Sequence, residues 1–226
     1  MSQEDHDHWV FGYGSLMWRP GFDFAERVPA FLVGFERSFC IFSNHHRGND
    51  ARPGLVLGLD RGGACAGIAY RIVPEHWQET VAYLRAREQV SGVYQETSVP
   101  LTLGDGSHRE VAALTYIVER AHPSYAHRLP FAKQVDIIRG ARGLSGPNVE
   151  YLVNTARLLR ELGIPDRGLE RLVVGTGGLF ASASADSGGL RRRALLAARF
   201  HGRQVKGVRR MSRSEHQRFM YRQALG

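Results

Sequence analysis

Cysteine is scarce in this chain, and long apolar runs are missing. The two cysteines, Cys40 and Cys65, lie far apart in separate apolar segments. That excludes a structural zinc site made of clustered cysteines and leaves two buried free thiols as the expectation. No window approaches the roughly 18 consecutive apolar residues that a membrane span needs. The first eight residues, Met1 to His8, are polar and acidic and have neither the apolar core of a signal peptide nor the basic character of a transit sequence. Aromatic residues interleaved with Lys or Arg are also lacking, so the stacking pattern of a single-strand binder is absent. The formal charge of +8 comes largely from beyond residue 190, in Arg191-Arg192-Arg193 and in Gln204 to Arg222. A nucleic-acid groove in the first half is thereby excluded on charge. These absences lead us to expect a cytoplasmic protein with neither a membrane nor a nucleic acid as partner.

Glycine, by contrast, is plentiful at 26 residues, which suits many tight turns. The length supports one substantial core rather than two. We therefore read a single domain over residues 9–226, preceded by a flexible polar tail at 1–8. Residues 190–226 are expected to form a basic helical extension on or beside that domain.

The stretch that commands attention is Trp9 to Met17, where an apolar run passes directly into a glycine-rich turn. Val10, Phe11 and Tyr13 read as a short strand, and Gly12 and Gly14 permit close backbone approach or positive φ at its end. Two readings are open: a core strand with an ordinary turn, or a strand end that presents the amides of Tyr13 to Leu16 and the Ser15 hydroxyl to a small anion.

Further along, Val28 to Phe42 reads as a long strand or bent strand pair. Gly54 to Leu59 and Ala64 to Val73 read as two strands joined by a turn at Asp60-Arg61-Gly62-Gly63, and Tyr94 to Leu103 with Arg109 to Val118 as a hairpin. About six strands in the first half can close as a barrel. Between them a helix runs from about Glu75 to Glu88, with Trp77, Val81 and Leu84 on one stripe. The next position on that stripe is Glu88. This carboxylate is either solvated by fraying or paired with Arg87 or another cation, or it is held at the mouth of an apolar pocket. In the last case burial would raise its pKa into a useful range for proton transfer.

His45 and His46 invite a metal reading, but no third ligand has a suitable spacing. Phe131 to Arg142 is expected to be helical. A further helix follows with Asn148 as its N-cap and Gly163 as its C-cap. Tyr151 lies off that helix's apolar stripe, free either to pack on a neighbour or to reach a pocket. Leu169 to Val174 reads as an apolar docking segment. Gly175 to Gly178 does not continue into a phosphate-binding loop.

Taken together, Tyr13-Gly14-Ser15-Leu16, Glu88 followed by Gly92-Val93-Tyr94, and Ser145-Gly146-Pro147-Asn148-Val149-Glu150-Tyr151-Leu152 resemble the ChaC-type gamma-glutamylcyclotransferases. His46-Arg47-Gly48, Pro53-Gly54 and Gly67-Ile68-Ala69-Tyr70 extend the resemblance over about two thirds of the chain. It implies an α+β fold, a small mixed β-barrel with flanking helices, and a lyase that releases 5-oxoproline from gamma-glutamyl compounds, glutathione foremost. It also implies Glu88 as the catalytic residue, with Tyr13, Gly14, Ser15, Leu16, Arg47, Tyr94 and Tyr151 around the substrate. The substrate's own α-amine attacks its own side-chain carbonyl, so no metal or cofactor is called for. Ser15 as a nucleophile lacks a Gly-x-Ser-x-Gly elbow and a placed His/Asp pair.

The chain departs from the family pattern before its His-Arg-Gly loop, with Cys40, Ile41 and Phe42 ahead of Ser43 and with His45 at a commonly acidic position. This bears on the leaving group, so a cyclotransferase for another gamma-glutamyl amino acid or amine stays open, as does a non-catalytic gamma-glutamyl-binding protein. No oligomeric contact is legible, and a monomer is the default expectation.

Overall fold

The computed structural model describes residues 7–178 except 90 and 108. The expected extension at 190–226 and most of the expected N-terminal tail lie outside the described residues.

Five strands close into a barrel: β1 (His8–Gly12), β2 (Glu26–Ser43), β3 (Gly54–Ile72), β4 (Tyr94–Leu103) and β5 (Glu110–Val118). Around the wall they run β1-β3-β2-β4-β5. All neighbours are antiparallel except β1 and β5, which are parallel and close the barrel. The β2–β3 and β4–β5 pairings are long. Two seams are short: β1 meets β5 only at Trp9–Ala113 and Val10–Leu114, and β2 meets β4 only at Ala30–Leu103 and Phe31–Thr102.

One expectation is corrected here. Gly54 to Ile72 is a single strand, with no hairpin at Asp60 to Gly63. Gly62 and Gly63 have positive φ, and so does Gly34 on β2, where the register shifts between Val33 and Phe35. The glycines therefore absorb an irregularity within one long ladder instead of reversing the chain.

Side chains alternate between two cores, as the period of a strand requires. Trp9, Phe11, Leu32, Leu59, Leu101, Leu103 and Ile117, drawn from all five strands and from no helix, fill the barrel. Val10, Phe39, Leu55, Ile68, Tyr70 and Tyr116 face outward. They are covered by α1 (Pro74–Glu88), α2 (Phe131–Gly140), α3 (Asn148–Glu161) and α4 (Arg167–Gly175). A two-residue strand pair, β6 (Arg142–Gly143) and β7 (Gly146–Pro147), leads into α3.

Two helix starts differ from the sequence reading. Asn148 opens α3 but does not cap it; its fully buried amide accepts from the Leu55 N–H at 2.7 Å and donates to the Leu55 carbonyl at 2.8 Å. The segment after Pro165 is a helix. The Asp166 carboxylate caps it by accepting from the amides of Gly168 and Leu169. No described helix is long and apolar enough to cross a membrane.

Candidate active site

The end of β1 opens into a small cleft lined by Tyr13, Gly14, Ser15, Leu16, Leu57, Glu88, Tyr94, Thr115, Tyr116 and Tyr151. Glu88 arrives there because α1 buries Val81 and Leu84 against the outer core, and the same stripe then delivers the helix's last residue. Its side chain is 18% exposed and sits 3.1 Å from the Arg87 Nε. Both sequence readings of Glu88 thus hold at once: it is paired with Arg87 and it lines a pocket. Burial raises the Glu88 carboxyl above the usual glutamate value, and the neighbouring Arg87 guanidinium holds that rise in check.

The glycine-rich turn is a short 3-10 turn, Ser15–Met17. Gly12 is needed for close approach, since a Cβ there would lie 2.9 Å from the Leu16 Cβ and 3.3 Å from the Met17 amide nitrogen. Gly14 has open space beside it, with only the Leu57 Cδ1 at 4.0 Å. Neither has positive φ.

The carbonyls of this turn are drawn away by donors from distant strands. Tyr13 O accepts from the Arg37 Nε at 2.6 Å, and the Tyr70 hydroxyl lies 2.9 Å from Leu16 O and 3.0 Å from Met17 O. Arg27 also donates to Met17 O at 2.9 Å. Arg37 itself is buried and paired with Asp166 at 2.9 Å, so the cap of α4 and the turn share one guanidinium. With the carbonyls so engaged, the first amides of a 3-10 turn, which have no partner within the turn, are left for a ligand.

Four phenols wall the cleft. Burial, reinforced by their neighbours' charges, holds Tyr13 and Tyr94 well above the ordinary tyrosine value, and burial raises Tyr151 and Tyr116 too. All four are therefore neutral at physiological pH and available as hydrogen-bond donors. Two donations are already assigned: Tyr94 to Leu57 O at 2.7 Å and Tyr116 to Glu96 at 3.0 Å. Thr115 donates to Phe11 O at 3.0 Å.

Of the residues singled out from sequence, Glu88, Tyr13, Gly14, Ser15, Leu16, Tyr94 and Tyr151 are brought together here. Arg47 is not on the cleft wall. It stands behind Tyr151, its guanidinium 5.2 Å from the ring centroid, and donates to Ser145 O. The neighbouring His46 Nδ1 lies 3.1 Å from the Ser145 Oγ, which ties the loop after β2 to the strand pair before α3. Cys40 and Ile41 are buried, and neither they nor Phe42, Ser43 and His45 line the cleft.

Sequence reasoning missed Leu57, Thr115 and Tyr116. Tyr116 was visible only as one more apolar position in an alternating strand, although a tyrosine there carries a polar end that needs a partner. The Ser15 Oγ accepts from the Arg87 Nη2 at 2.8 Å.

The ChaC-like protein family model matches residues 8–176, three quarters of the chain and every residue of this cleft. The chain belongs to the ChaC-like family. It is 37% identical over 178 residues to the glutathione-specific gamma-glutamylcyclotransferase of Escherichia coli K12, spanning 79% of this chain and 76% of that protein. With the mouse glutathione-specific gamma-glutamylcyclotransferase 1 it shares 35% over 175 residues, 76% of this chain and 78% of the relative. Among solved structures, a yeast gamma-glutamyl cyclotransferase specific to glutathione superposes with a TM-score of 0.66 at 25% identity. That match covers 76% of this chain and 96% of the yeast chain. For this ChaC-like chain the sequence expectation of family and of a mixed barrel with flanking helices holds, with five barrel strands where about six were expected.

Proposed function

We propose that this chain is a gamma-glutamylcyclotransferase that cleaves glutathione to 5-oxoproline and cysteinylglycine. The observation that carries the reading is the half-buried Glu88, with a raised carboxyl pKa, facing a turn whose carbonyls are all tied back. Its curated relatives named as glutathione-specific cyclotransferases support the choice of substrate.

In this reading the γ-glutamyl moiety folds with its α-amine against its own side-chain carbonyl. Holding that geometry removes much of the entropic barrier of ring closure. The α-amine arrives as an ammonium. Glu88 takes one proton from it, and the freed nitrogen lone pair attacks the carbonyl carbon. The ring nitrogen then gives up its second proton and keeps one. As the tetrahedral centre collapses, the amide C–N bond to cysteine breaks, and the two protons lost by the α-ammonium end on the departing nitrogen, with Glu88 as their carrier. No water is consumed and nothing is oxidised or reduced. A carboxyl with a raised pKa serves both steps, because its basicity lies closer to that of the amine it must deprotonate. The amides of Ser15 and Leu16 and the neutral phenols of Tyr13 and Tyr151 supply donors for the α-carboxylate and for the developing oxyanion. Arg47 contributes from behind, by fixing the ring of Tyr151.

The test is incubation of pure protein with glutathione and assay of both products. Turnover is expected, and its absence in folded protein that still binds a γ-glutamyl ligand would leave the non-catalytic binding role. Glu88→Gln should lower kcat by about 10²- to 10⁴-fold with the fold intact. We place the activity in the cytoplasm.

A further inference from the structure

Arg87 touches both working parts of the cleft without lining it. Its Nε lies 3.1 Å from the Glu88 Oε1, and its Nη2 donates to the Ser15 Oγ at 2.8 Å. The remaining nitrogen, Nη1, donates to Arg19 O at 2.8 Å and to the Tyr83 hydroxyl at 2.9 Å, with Pro20 O more distant at 3.4 Å. Arg19 follows directly on the turn, and Tyr83 is one helical turn back along α1. The guanidinium is therefore anchored to the helix, to the far end of the turn, to the serine and to the glutamate. Its side chain is only 16% exposed.

We propose that Arg87 is a positioning residue for the cyclisation: its fork holds the Glu88 carboxylate and the Ser15 hydroxyl in one rigid frame, at fixed separation across the substrate. This rests on the cyclotransferase reading above. A planar guanidinium has donors on three nitrogens in fixed directions, whereas the single ammonium of a lysine cannot span the same partners. The Ser15 Oγ spends an acceptor lone pair on Arg87 and keeps its own proton for donation, polarised by the bond it receives. Ser15 is thereby assigned as a donor to the γ-glutamyl group rather than as a nucleophile.

The same contact sets the charge balance at Glu88. The groups facing Glu88 are Arg87 beside it on α1, Tyr13 at the end of β1, Tyr94 on β4, Tyr116 on β5 and Tyr151 on α3. The four phenols are neutral, so Arg87 supplies the full charge that keeps the buried carboxyl ionised and able to accept a proton.

Three variants separate this role from simple structural support: Arg87→Gln, Arg87→Lys and Ser15→Ala, each checked by thermal melting and assayed for kcat and KM across pH. For Arg87→Gln, kcat/KM at pH 7 is expected to fall about 10- to 100-fold, the usual worth of a hydrogen bond to a charged group. Its acid limb is expected to move to higher pH. Arg87→Lys should keep the acid limb near wild type, because the charge remains, and raise KM, because the fork is lost. Ser15→Ala should raise KM with the acid limb unmoved.

An Arg87→Gln enzyme with the wild-type acid limb, or with activity lost only in proportion to its unfolded fraction, would overturn the proposal. If wild-type protein turns over no γ-glutamyl compound, the cyclotransferase reading itself fails. In that event the Glu88 carboxyl, followed by ¹³C NMR in labelled protein and assigned with Glu88→Gln, still decides whether Arg87 governs it. The Glu88 pKa should rise in Arg87→Gln, and an unmoved titration overturns the proposal.

Discussion

Burial makes the Glu88 carboxyl hold its proton more tightly in the folded protein than in the unfolded chain. The folded state therefore binds more protons than the unfolded one between the ordinary glutamate range and the raised folded value. Stability linked to this group is present at acid pH and is lost as pH rises through that interval. Activity runs the other way, since the carboxylate must be ionised to accept the ammonium proton, so kcat/KM is expected to fall as pH drops through the same raised value. Glu88→Gln removes the buried charge but keeps a group that can accept from Arg87. At pH 7 its melting temperature is expected to equal or exceed that of wild type. Each kcal/mol of difference shifts Tm by roughly 2–4 °C in a protein of this size. The difference should vanish below about pH 4, where both states of the wild-type carboxyl are protonated; calorimetry at several pH values checks it. A second contrast at this scale is between two glycines. Gly14→Ala places a methyl in open cleft space, so KM should rise several-fold with an unchanged melt, whereas Gly12→Ala drives a Cβ into Leu16 and should disturb the turn itself. Glu88 was legible because a carboxylate interrupts an apolar stripe, which is a local signal. Tyr116 and Arg87 were not, because a strand tyrosine and a helix arginine look the same whether or not they serve a site.

Among the elements, the sequence spoke clearly where a period was regular. β4, β5 and α1 have almost the boundaries that their patterns imply. It misled where a local preference competes with a distant partner. Asn148 has the residue type of a helix cap, yet its partner is the backbone of Leu55, 93 residues away. Asp60 to Gly63 has the composition of a turn, yet β2 pairs along both flanks and holds β3 extended. Asp166 and Arg37 meet across 129 residues, a contact no local window contains. These long-range contacts fix how the elements dock. Asn148→Ala would leave both backbone groups of Leu55 facing a buried gap and should destabilise the protein by about 2–4 kcal/mol, read by chemical denaturation. Arg37→Met should cost about 2–4 kcal/mol, since it takes the cation from beside the Asp166 carboxylate and removes the donor held by the Tyr13 and Ala66 carbonyls. Its surviving folded fraction should show a raised KM, because the amide cradle has lost an anchor.

At the scale of the whole molecule, the barrel's inside meets the site at Tyr13, which belongs to the interior cluster and lines the cleft, while most interior side chains lie away from it. Leu32→Ala in the interior should lower Tm by on the order of 10 °C through its cavity. kcat should stay near wild type, because Leu32 does not line the cleft. The fold class was readable because strands and helices segregate along the chain. Closure into a barrel was expected from the strand count, but the parallel β1–β5 seam that makes it was not, since two residue pairs of bridging leave almost no trace in composition.

Those two short seams divide the wall into two bodies, β1-β3-β2 and β4-β5, and the cleft draws on both. Tyr13 to Leu16 and Leu57 come from the first, Tyr94, Thr115 and Tyr116 from the second. The pairs at the seams and staples such as Tyr94 to Leu57 and Thr115 to Phe11 join them. The molecule is in that sense a book with its spine at the seams, and a substrate lying in the cleft is read by both pages. Ligand should therefore slow amide exchange at Val10 and Leu114 more than within the β4–β5 hairpin, making the substrate itself a fastener of the barrel.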